Sequence, residues 1–452
     1  MVVPWRLIPT DTFLALVCGR EIAQHGLPSV DTLAVVTQGH VWTDQQWLGQ
    51  LAIYGVDRAG GLRAALLLQA VVVVCTFALC ARHALLRGAS PAATLVCGIA
   101  GFGVGAASFT LRPQMFSLLA FAALLVLLSE TKTPSRRMFW TLPILVVWAN
   151  VHGAVVLGAM LVALRGMFDV AAHKAARGLA LAALAACTPF CTPYARGLPR
   201  YFHDIGRLQD PARDLPILEW NRVAWPGDWP FFAIFAVMLG LFIVVHVTTA
   251  GKAHRPPLFE TLVVALTGLG SWQATRHLQW FGLALAAYAP LALDAVPAIR
   301  EGRVLGLVSS AMRALGPLAL VIALVRLVVM KDDDLERSYP RGVLPLLERE
   351  TSEHADWHLA SSDHFADWAL WNVPALRGRI EADVRFELLD DDQARAMMRF
   401  LFARRGWEQV YPEAAMVLVS RKSHEDLDRK LEAMPGMHML WESPVGHLFV
   451  RM

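Results

Sequence analysis

Long apolar runs constrain the fold of this chain more than any other feature of its sequence. A helix needs roughly 20 residues to cross the hydrocarbon core of a bilayer. Charged residues make up 17% of the 452 residues, against roughly 25% in soluble proteins. The sequence therefore predicts an α-helical polytopic membrane protein with about ten transmembrane helices, and it excludes a cytosolic enzyme. The apolar runs lie at 62–86, 91–110, 113–130, 138–152, 153–170, 178–194, 229–248, 257–273, 279–298 and 304–330.

The sign of the net charge changes near residue 330. Residues 1–330 contain 25 lysines and arginines and 15 acidic residues, whereas residues 331–452 contain 16 and 23. Neither part has the stripe of basic side chains that nucleic-acid binding requires. We therefore expect a basic membrane body, an acidic tail and no nucleic-acid partner.

These patterns predict three domains: an outer first loop over 1–61, a transmembrane helical domain over 62–330, and an extracytoplasmic soluble α/β domain over 331–452. In the first loop, apolar residues at helical spacing predict an amphipathic surface helix over 11–24. In the tail, short apolar runs predict strands and helical periodicity predicts helices. The predicted strands are 357–360, 379–383, 407–411, 415–420, 437–441 and 446–450, and the predicted helices are 363–371, 390–404 and 423–433.

Basic residues in alternate short loops predict the orientation, because such loops stay in the cytoplasm. The first loop, the 195–228 loop and the tail then face the opposite side. In a bacterium this is the outer face of the inner membrane; an endoplasmic-reticulum lumen is the alternative that the sequence leaves open. Residues 1–61 contain no span or signal peptide, so we expect a leading helix upstream rather than a first span inserted with its N terminus outside. The twelve cytoplasmic basic residues are Arg82, Arg87, Lys132, Arg136, Arg137, Arg165, Lys174, Arg177, Lys252, Arg255, Arg300 and Arg303.

Polar residues near the outer ends of the spans are the candidates for chemistry, because burying them without partners costs several kcal/mol. Arg112 and Arg276 each stand alone at an outer span end, although Arg112 could instead reach the lipid headgroups. Asn150 and His152 would diverge by roughly 200° on one helix. They converge only if the backbone turns, as Gly153 permits. The remaining candidates are Glu219, beside Trp220, and His277.

Two sequence patterns do not support the chemistry that their letters suggest. Gly101-Phe-Gly-Val-Gly105-Ala satisfies the dinucleotide-binding pattern, but it lies in an apolar run and predicts close helix packing instead. His354 and His358 are four residues apart without the glutamate of a zinc protease. We predict no metal site and no nucleotide cofactor, and a divalent cation is left open.

A series of short motifs follows the same order along the chain. In the first outer loop, the acidic residue Asp11 stands ahead of a helix that ends in Gly19-Arg20. The further motifs are His25-Gly-Leu-Pro-Ser-Val-Asp31, Gly39-His-Val-Trp-Thr-Asp-Gln-Gln-Trp47-Leu, Arg112-Pro-Gln-Met-Phe-Ser, Trp148-Ala-Asn-Val-His-Gly153, Thr192-Pro-Tyr-Ala-Arg196, Glu219-Trp220, Arg276-His277, Phe365-Ala-Asp-Trp-Ala-Leu-Trp371 and Arg379-Ile-Glu-Ala-Asp383-Val-Arg385. Together they resemble the motifs of bacterial integral membrane proteins related to the GT-C glycosyltransferases. The tail departs from that family's pattern at Ala366, Ala369 and Ala382.

The resemblance implies transfer of a sugar from a polyprenyl-phosphate donor to a glycan, lipid or protein acceptor. An acidic residue of the first outer loop then serves as base or positions the acceptor: Asp11, with Asp31 and Asp44 as rivals. Guanidinium groups suit the departing phosphate. Arg112 and Arg276 are therefore the expected phosphate ligands, and Asn150, His152, Glu219 and His277 are further substrate-binding candidates.

Two other functions are compatible with the same architecture. One is a non-catalytic transporter or flippase-like protein for an envelope lipid, which should carry ionisable residues at mid-membrane, a feature in which the sequence is poor. The other is a membrane-anchored assembly module whose working part is the tail.

Overall fold

The chain divides into two units, each assembled from separated stretches of sequence. The computed structural model describes residues 8–129, 136–208, 218–220, 222–223, 227, 229–248, 257–295, 325, 329–330 and 332–451. Unit 1 comprises Met1–Gly61, Arg196–Pro216 and Met330–Met452, and unit 2 comprises Leu62–Ala195 and Ile217–Val329. The first loop and the tail, predicted as separate domains, therefore belong to one unit.

The described residues are mostly helical, with one small sheet near the end of the chain. The helices are α1 Thr10–His25, α2 Trp47–Leu86, α3 Pro91–Gly105, α4 Gln114–Leu128, α5 Thr141–Trp148, α6 Val155–His173, α7 Arg177–Cys187, α8 Leu198–Arg207, α9 Trp229–Thr248, α10 Leu258–Ser271, α11 Leu278–Asp294, α12 Asp332–Leu335, α13 Leu344–Glu353, α14 Asp363–Asn372, α15 Asp391–Leu401 and α16 Glu425–Glu432. The strands are β1 His358–Ser361, β2 Ala414–Ser420, β3 Met437–Glu442 and β4 Gly446–Arg451.

Helices lie at nine of the ten predicted spans, which confirms the prediction of a helical polytopic membrane protein. Among the described residues, three segments are long and apolar enough to cross a membrane: Trp47–Leu86, Pro91–Ser108 and Val155–Ala172. The first of these is interrupted where Gly61 adopts φ +70°, a conformation that favours glycine. A turn separates α5 from α6, and a Cβ atom on Gly158 of α6 would lie within 3 Å of the Leu145 and Trp148 side chains of α5. These spans therefore fold back on each other as a hairpin. The tenth predicted span, 304–330, lies almost entirely outside the described residues.

Small residues bring α3 and α11 into backbone contact, as the glycine pattern predicts. A Cβ atom on Gly101 would lie 2.2 Å from the carbonyl oxygen of Gly282, and one on Gly105 would lie 3.0 Å from Cα of Gln279. Neither approach leaves room for a side chain. The glycine pattern at 101–105 therefore serves helix packing.

The Gly101→Val variant is expected to lower the free energy of unfolding by about 1–3 kcal/mol, because the new side chain forces α3 away from α11. Thermal unfolding of the full chain in lipid nanodiscs measures the change. Gly103→Val is the matched control, since a Cβ at Gly103 has no atom within 4 Å. Equal losses in both variants would contradict the packing role of Gly101.

The tail sheet of unit 1 has the strand order β1-β2-β4-β3, with β1 parallel to β2 and the other pairs antiparallel. First-loop residues extend it beyond β1. The amides of Val35 and Val36 donate to the carbonyl oxygens of Ile380 (2.8 Å) and Glu381 (3.0 Å), and the Glu381 amide donates to Leu359 of β1 at 3.0 Å. The predicted strand 379–383 is thus reduced to isolated bridges at Ile380.

Helix α1 forms within one residue of its predicted bounds and packs inside unit 1 against α14. Gly19 is required here, because a Cβ atom would lie 2.6 Å from the carbonyl oxygen of Gln50. The Arg20 guanidinium donates to the carbonyl oxygens of Leu370 (2.8 Å) and Trp371 (2.9 Å) at the end of α14. The first loop and the tail therefore share one interior.

The predicted strand 407–411 is wrong. Gly406 adopts φ +82° and residues Trp407–Gln409 form a 3-10 turn. The buried Trp407 contacts Phe400 of α15 with a ring separation of 6.3 Å. Local apolar periodicity could not reveal this reversal of the chain.

Candidate functional site

Two arginines of unit 2 hold one carboxylate between them. Arg112 precedes α4, and Arg276 lies in the 3-10 turn that precedes α11. Arg112 Nη1 donates to Glu219 Oε2 at 2.7 Å, and Arg276 Nη1 lies 3.3 Å from Glu219 Oε1. We call Arg112, Glu219, Trp220 and Arg276 the arginine cluster. The structure thus brings together three predicted site residues that are far apart in sequence.

The arginine cluster is built to stabilise negative charge. Burial raises the pKa of Glu219, but the two guanidinium groups outweigh it and bring that pKa below its ordinary value. The Arg276 guanidinium also lies 4.2 Å from the centre of the Trp220 ring, a cation–π contact. Paired guanidinium groups in a poorly hydrated setting are a strong arrangement for binding phosphate.

His152 lies in the turn between α5 and α6, outside both helices, and is buried. The amide of Ala154 donates to His152 Nδ1 at 3.1 Å. Burial and the nearby charges of Arg276 and Arg112 hold the pKa of His152 well below its ordinary value. The ring is therefore neutral at pH 7 with its proton on Nε2, so His152 can donate one hydrogen bond to an anion.

The side chains of Asn150 and His277 hold backbone in place. Asn150 donates to the carbonyl oxygens of Val146 and Cys191, both at 2.9 Å. His277 Nδ1 lies 3.0 Å from the carbonyl oxygen of Gly270 at the end of α10. Burial lowers the pKa of His277. These contacts hold in place the turn that follows α5 and the turn that precedes α11.

Unit 1 contains a second charged cluster, centred on Arg385. The Arg385 guanidinium donates to Asp383 Oδ2 through Nε at 2.9 Å and lies 2.8 Å from Asp31 Oδ1. All three side chains are at most 5% exposed, and Arg385 also lies 4.5 Å from the ring of Trp42. Asp31 is thereby committed to a buried ion pair that joins the first loop to the tail. Asp31 was a predicted site residue, whereas Arg385 was not, although the Asp383-Val-Arg385 motif contains it.

The other acidic residues near this ion pair differ in exposure. Asp11, in the first turn of α1, is half-buried, whereas Asp44 and Asp367 are buried. Burial raises the pKa of Asp44 to about 7. Burial, with the charges of Asp383 and Asp11, raises the pKa of Asp367 well above its ordinary value. Of the three carboxyl groups that the sequence proposed as base, only Asp11 is partly accessible.

Among the residues that the structure describes, two groups, both in the tail, have ligand atoms close enough together to hold a metal ion, all within 4.8 Å of one another. His354 belongs to the first, whereas His358 instead contacts Glu381 at 3.2 Å. The residues of the first group are close together in sequence at the end of α13. The second group combines two residues of α16 with one of β4. The groups are Glu350, Glu353 and His354, and Asp428, Glu432 and His447.

No protein-family model matches the sequence, and no curated protein matches it. Solved structures do match. ArnT from Cupriavidus metallidurans in the apo state aligns with 99% of this chain and 94% of its own, at TM-score 0.56 and 12% identity. The same protein bound to undecaprenyl phosphate gives 0.55 and 14%, with the same shares covered.

A third structure extends the comparison. The archaeal oligosaccharyltransferase AglB from Archaeoglobus fulgidus, in complex with an inhibitory peptide and a dolichol-phosphate, gives a TM-score of 0.55 at 12% identity and covers 99% of this chain and 71% of its own. ArnT and AglB are polytopic membrane proteins of the GT-C type. The chain therefore has the fold of the GT-C polyprenyl-phosphate-dependent glycosyltransferases.

Proposed function

We propose that the protein is a GT-C-type glycosyltransferase that moves a sugar from a polyprenyl-phosphate donor to an envelope acceptor at the outer face of the bacterial inner membrane. The observation that carries this proposal is the arginine cluster, in which Arg112 and Arg276 converge on one anion. The fold supports the proposal, because the chain shares it with ArnT, and ArnT has been solved with undecaprenyl phosphate.

In this reaction the bond between the sugar's anomeric carbon and the phosphate oxygen breaks, and the acceptor oxygen forms the new bond. Arg112 and Arg276 stabilise the phosphate as it leaves with the electron pair. Neutral His152 donates a hydrogen bond to the same phosphate. A carboxylate accepts the proton of the acceptor hydroxyl, and Asp11 fits that role better than Asp31, which is buried against Arg385.

Transfer from a panel of polyprenyl-phosphate sugars by the full chain in lipid nanodiscs tests this function. We expect Asp11→Asn to reduce turnover by about 10²–10⁴-fold through loss of the base. Arg112→Ala should reduce turnover by about 10²–10³-fold and weaken binding of undecaprenyl phosphate. Asp392→Asn and Arg429→Ala, at 93% and 65% side-chain exposure, are controls that should retain wild-type turnover. Full turnover by the Asp11 and Arg112 variants would refute the proposed roles.

One observation favours a lipid transporter as the second candidate. Arg165 and Asp169 of unit 2 form an ion pair at 3.0 Å within helix α6, and their side chains are 1% and 2% exposed. Arg165 therefore lies inside a helix of the membrane domain and not in the cytoplasmic loop that the sequence predicted. Ionisable residues inside a membrane domain are often functional. Transbilayer movement of the lipid without sugar transfer would favour this candidate.

A further inference from the structure

We propose that the carboxylate of Glu219 and the donor phosphate compete for one position between Arg112 and Arg276, so that the phosphate must displace the carboxylate to bind. The inference rests on the proposed function, because it takes Arg112 and Arg276 as the phosphate ligands. It adds that the protein carries its own competitor for that position.

The geometry of Glu219 resembles that of a bound anion. Its two carboxylate oxygens contact different arginines, Oε2 with Arg112 and Oε1 with Arg276. A phosphate group likewise presents several acceptor oxygens to guanidinium groups. A residue that merely oriented one arginine would not need to bridge both.

Charge determines which form of the phosphate displaces the Glu219 carboxylate more effectively. The Glu219 carboxylate lies between two positive guanidinium groups, and moving it away removes its favourable interaction with both. An anion that takes its place restores that interaction. A phosphate monoester, with close to two negative charges at neutral pH, balances both arginines, whereas a sugar-linked phosphodiester has one charge. We therefore expect the free carrier phosphate to displace Glu219 more effectively than the sugar-linked donor.

The contacts of Glu219 allow its side chain to rotate away from the arginines while its backbone stays in place. The Glu219 side chain is 30% exposed, compared with 11% for Arg112 and 16% for Arg276, so Glu219 has the most accessible side chain of the three. Its backbone carbonyl accepts a hydrogen bond from Thr275 Oγ1 at 3.2 Å, and Trp220 contacts Arg276. A side-chain rotation can therefore open the anion position.

Binding of undecaprenyl phosphate to the full chain in nanodiscs tests the proposal. Glu219→Gln keeps the side-chain shape and removes the charge. If Glu219 fills the site nine-tenths of the time or more, this variant should bind about tenfold tighter or better than wild type. Glu260→Gln is the matched control, because Glu260 is another buried glutamate of unit 2 paired with an arginine, and its affinity for the lipid should stay at the wild-type value.

Thermal unfolding provides a second measurement that does not depend on activity. Without phosphate, Glu219→Gln should unfold at a lower temperature than wild type, because both arginines lose their ion pair with the Glu219 carboxylate. Undecaprenyl phosphate should raise its unfolding temperature more than it raises that of wild type. The Glu260→Gln control should show no such enlarged response.

The outcomes separate the two proposals. If Glu219→Gln binds the lipid no tighter than wild type while Arg112→Ala binds it more weakly, Glu219 only orients the arginines. The proposal that Glu219 competes with the phosphate is then overturned. If Arg112→Ala and wild type bind equally, the phosphate role of the arginine cluster fails, and the proposed function fails with it.

Discussion

Replacing Arg385 with methionine is expected to destabilise unit 1 by about 3–5 kcal/mol, the usual cost of removing one partner from a buried ion pair. Arg385 neutralises both Asp31 and Asp383, and all three side chains are nearly inaccessible to water. The variant leaves two buried carboxylates facing each other without a cation. Urea unfolding of the full chain in nanodiscs, followed by proteolysis of the tail, measures the loss.

An exposed arginine of the same unit provides the control. Arg395 contacts Asp392 at 2.8 Å, but the two side chains are 54% and 93% exposed, so Arg395→Met should change the stability by at most about 1 kcal/mol. Adding Asp31→Asn and Asp383→Asn to Arg385→Met should recover part of its loss, because no uncompensated charge then remains. A loss of stability in Arg385→Met no larger than that in Arg395→Met would contradict the role of Arg385.

The Asp44→Asn variant is expected to be more stable than wild type at pH 8, by about 4 kcal/mol. Burial raises the folded-state pKa of Asp44 from 3.8 to about 7, and each pKa unit corresponds to about 1.36 kcal/mol. The folded state therefore binds the proton more tightly than the unfolded state does. Wild-type stability should fall as the pH rises from about 4 through about 7 and then level off.

Unfolding at several pH values measures this effect. Asparagine resembles the protonated carboxyl group. The stability of Asp44→Asn should therefore change much less between pH 4 and pH 7 than the stability of wild type does. Asp392→Asn, at an exposed position, should keep the wild-type pH dependence. If Asp44→Asn and wild type lose stability in parallel over this range, another group is responsible for the pH dependence.

The membrane helices could be predicted from sequence because the bilayer imposes a local requirement. Length and apolarity are properties of one continuous segment, and helices form at nine predicted spans. The hairpin at Asn150 to Gly153 could not be predicted from the sequence, because two short apolar helices and one kinked helix have the same composition.

The assembly of unit 1 could not be predicted, because it depends on pairs that are distant in sequence. Nothing in the local pattern of residues 33–36 indicates that they extend a sheet whose first strand begins at His358. The charged candidates were partly predictable. Their solitary positions at span ends pointed to Arg112 and Arg276, but no sequence feature indicates that both contact Glu219. Arg385 belongs to a recognisable motif, but its burial beside Asp31 depends on a residue near the other end of the chain.

Because unit 1 is discontinuous in sequence, its parts are synthesised at different times. The carbonyl groups that accept hydrogen bonds from Arg20 are 350 and 351 residues further along the chain. At typical translation rates that gap lasts roughly 20–70 s, and the intervening helices of unit 2 are made during this time. Strand β4, the last in the chain, then inserts between β2 and β3. Until α14 has been synthesised, α1 therefore lacks the helix against which it packs.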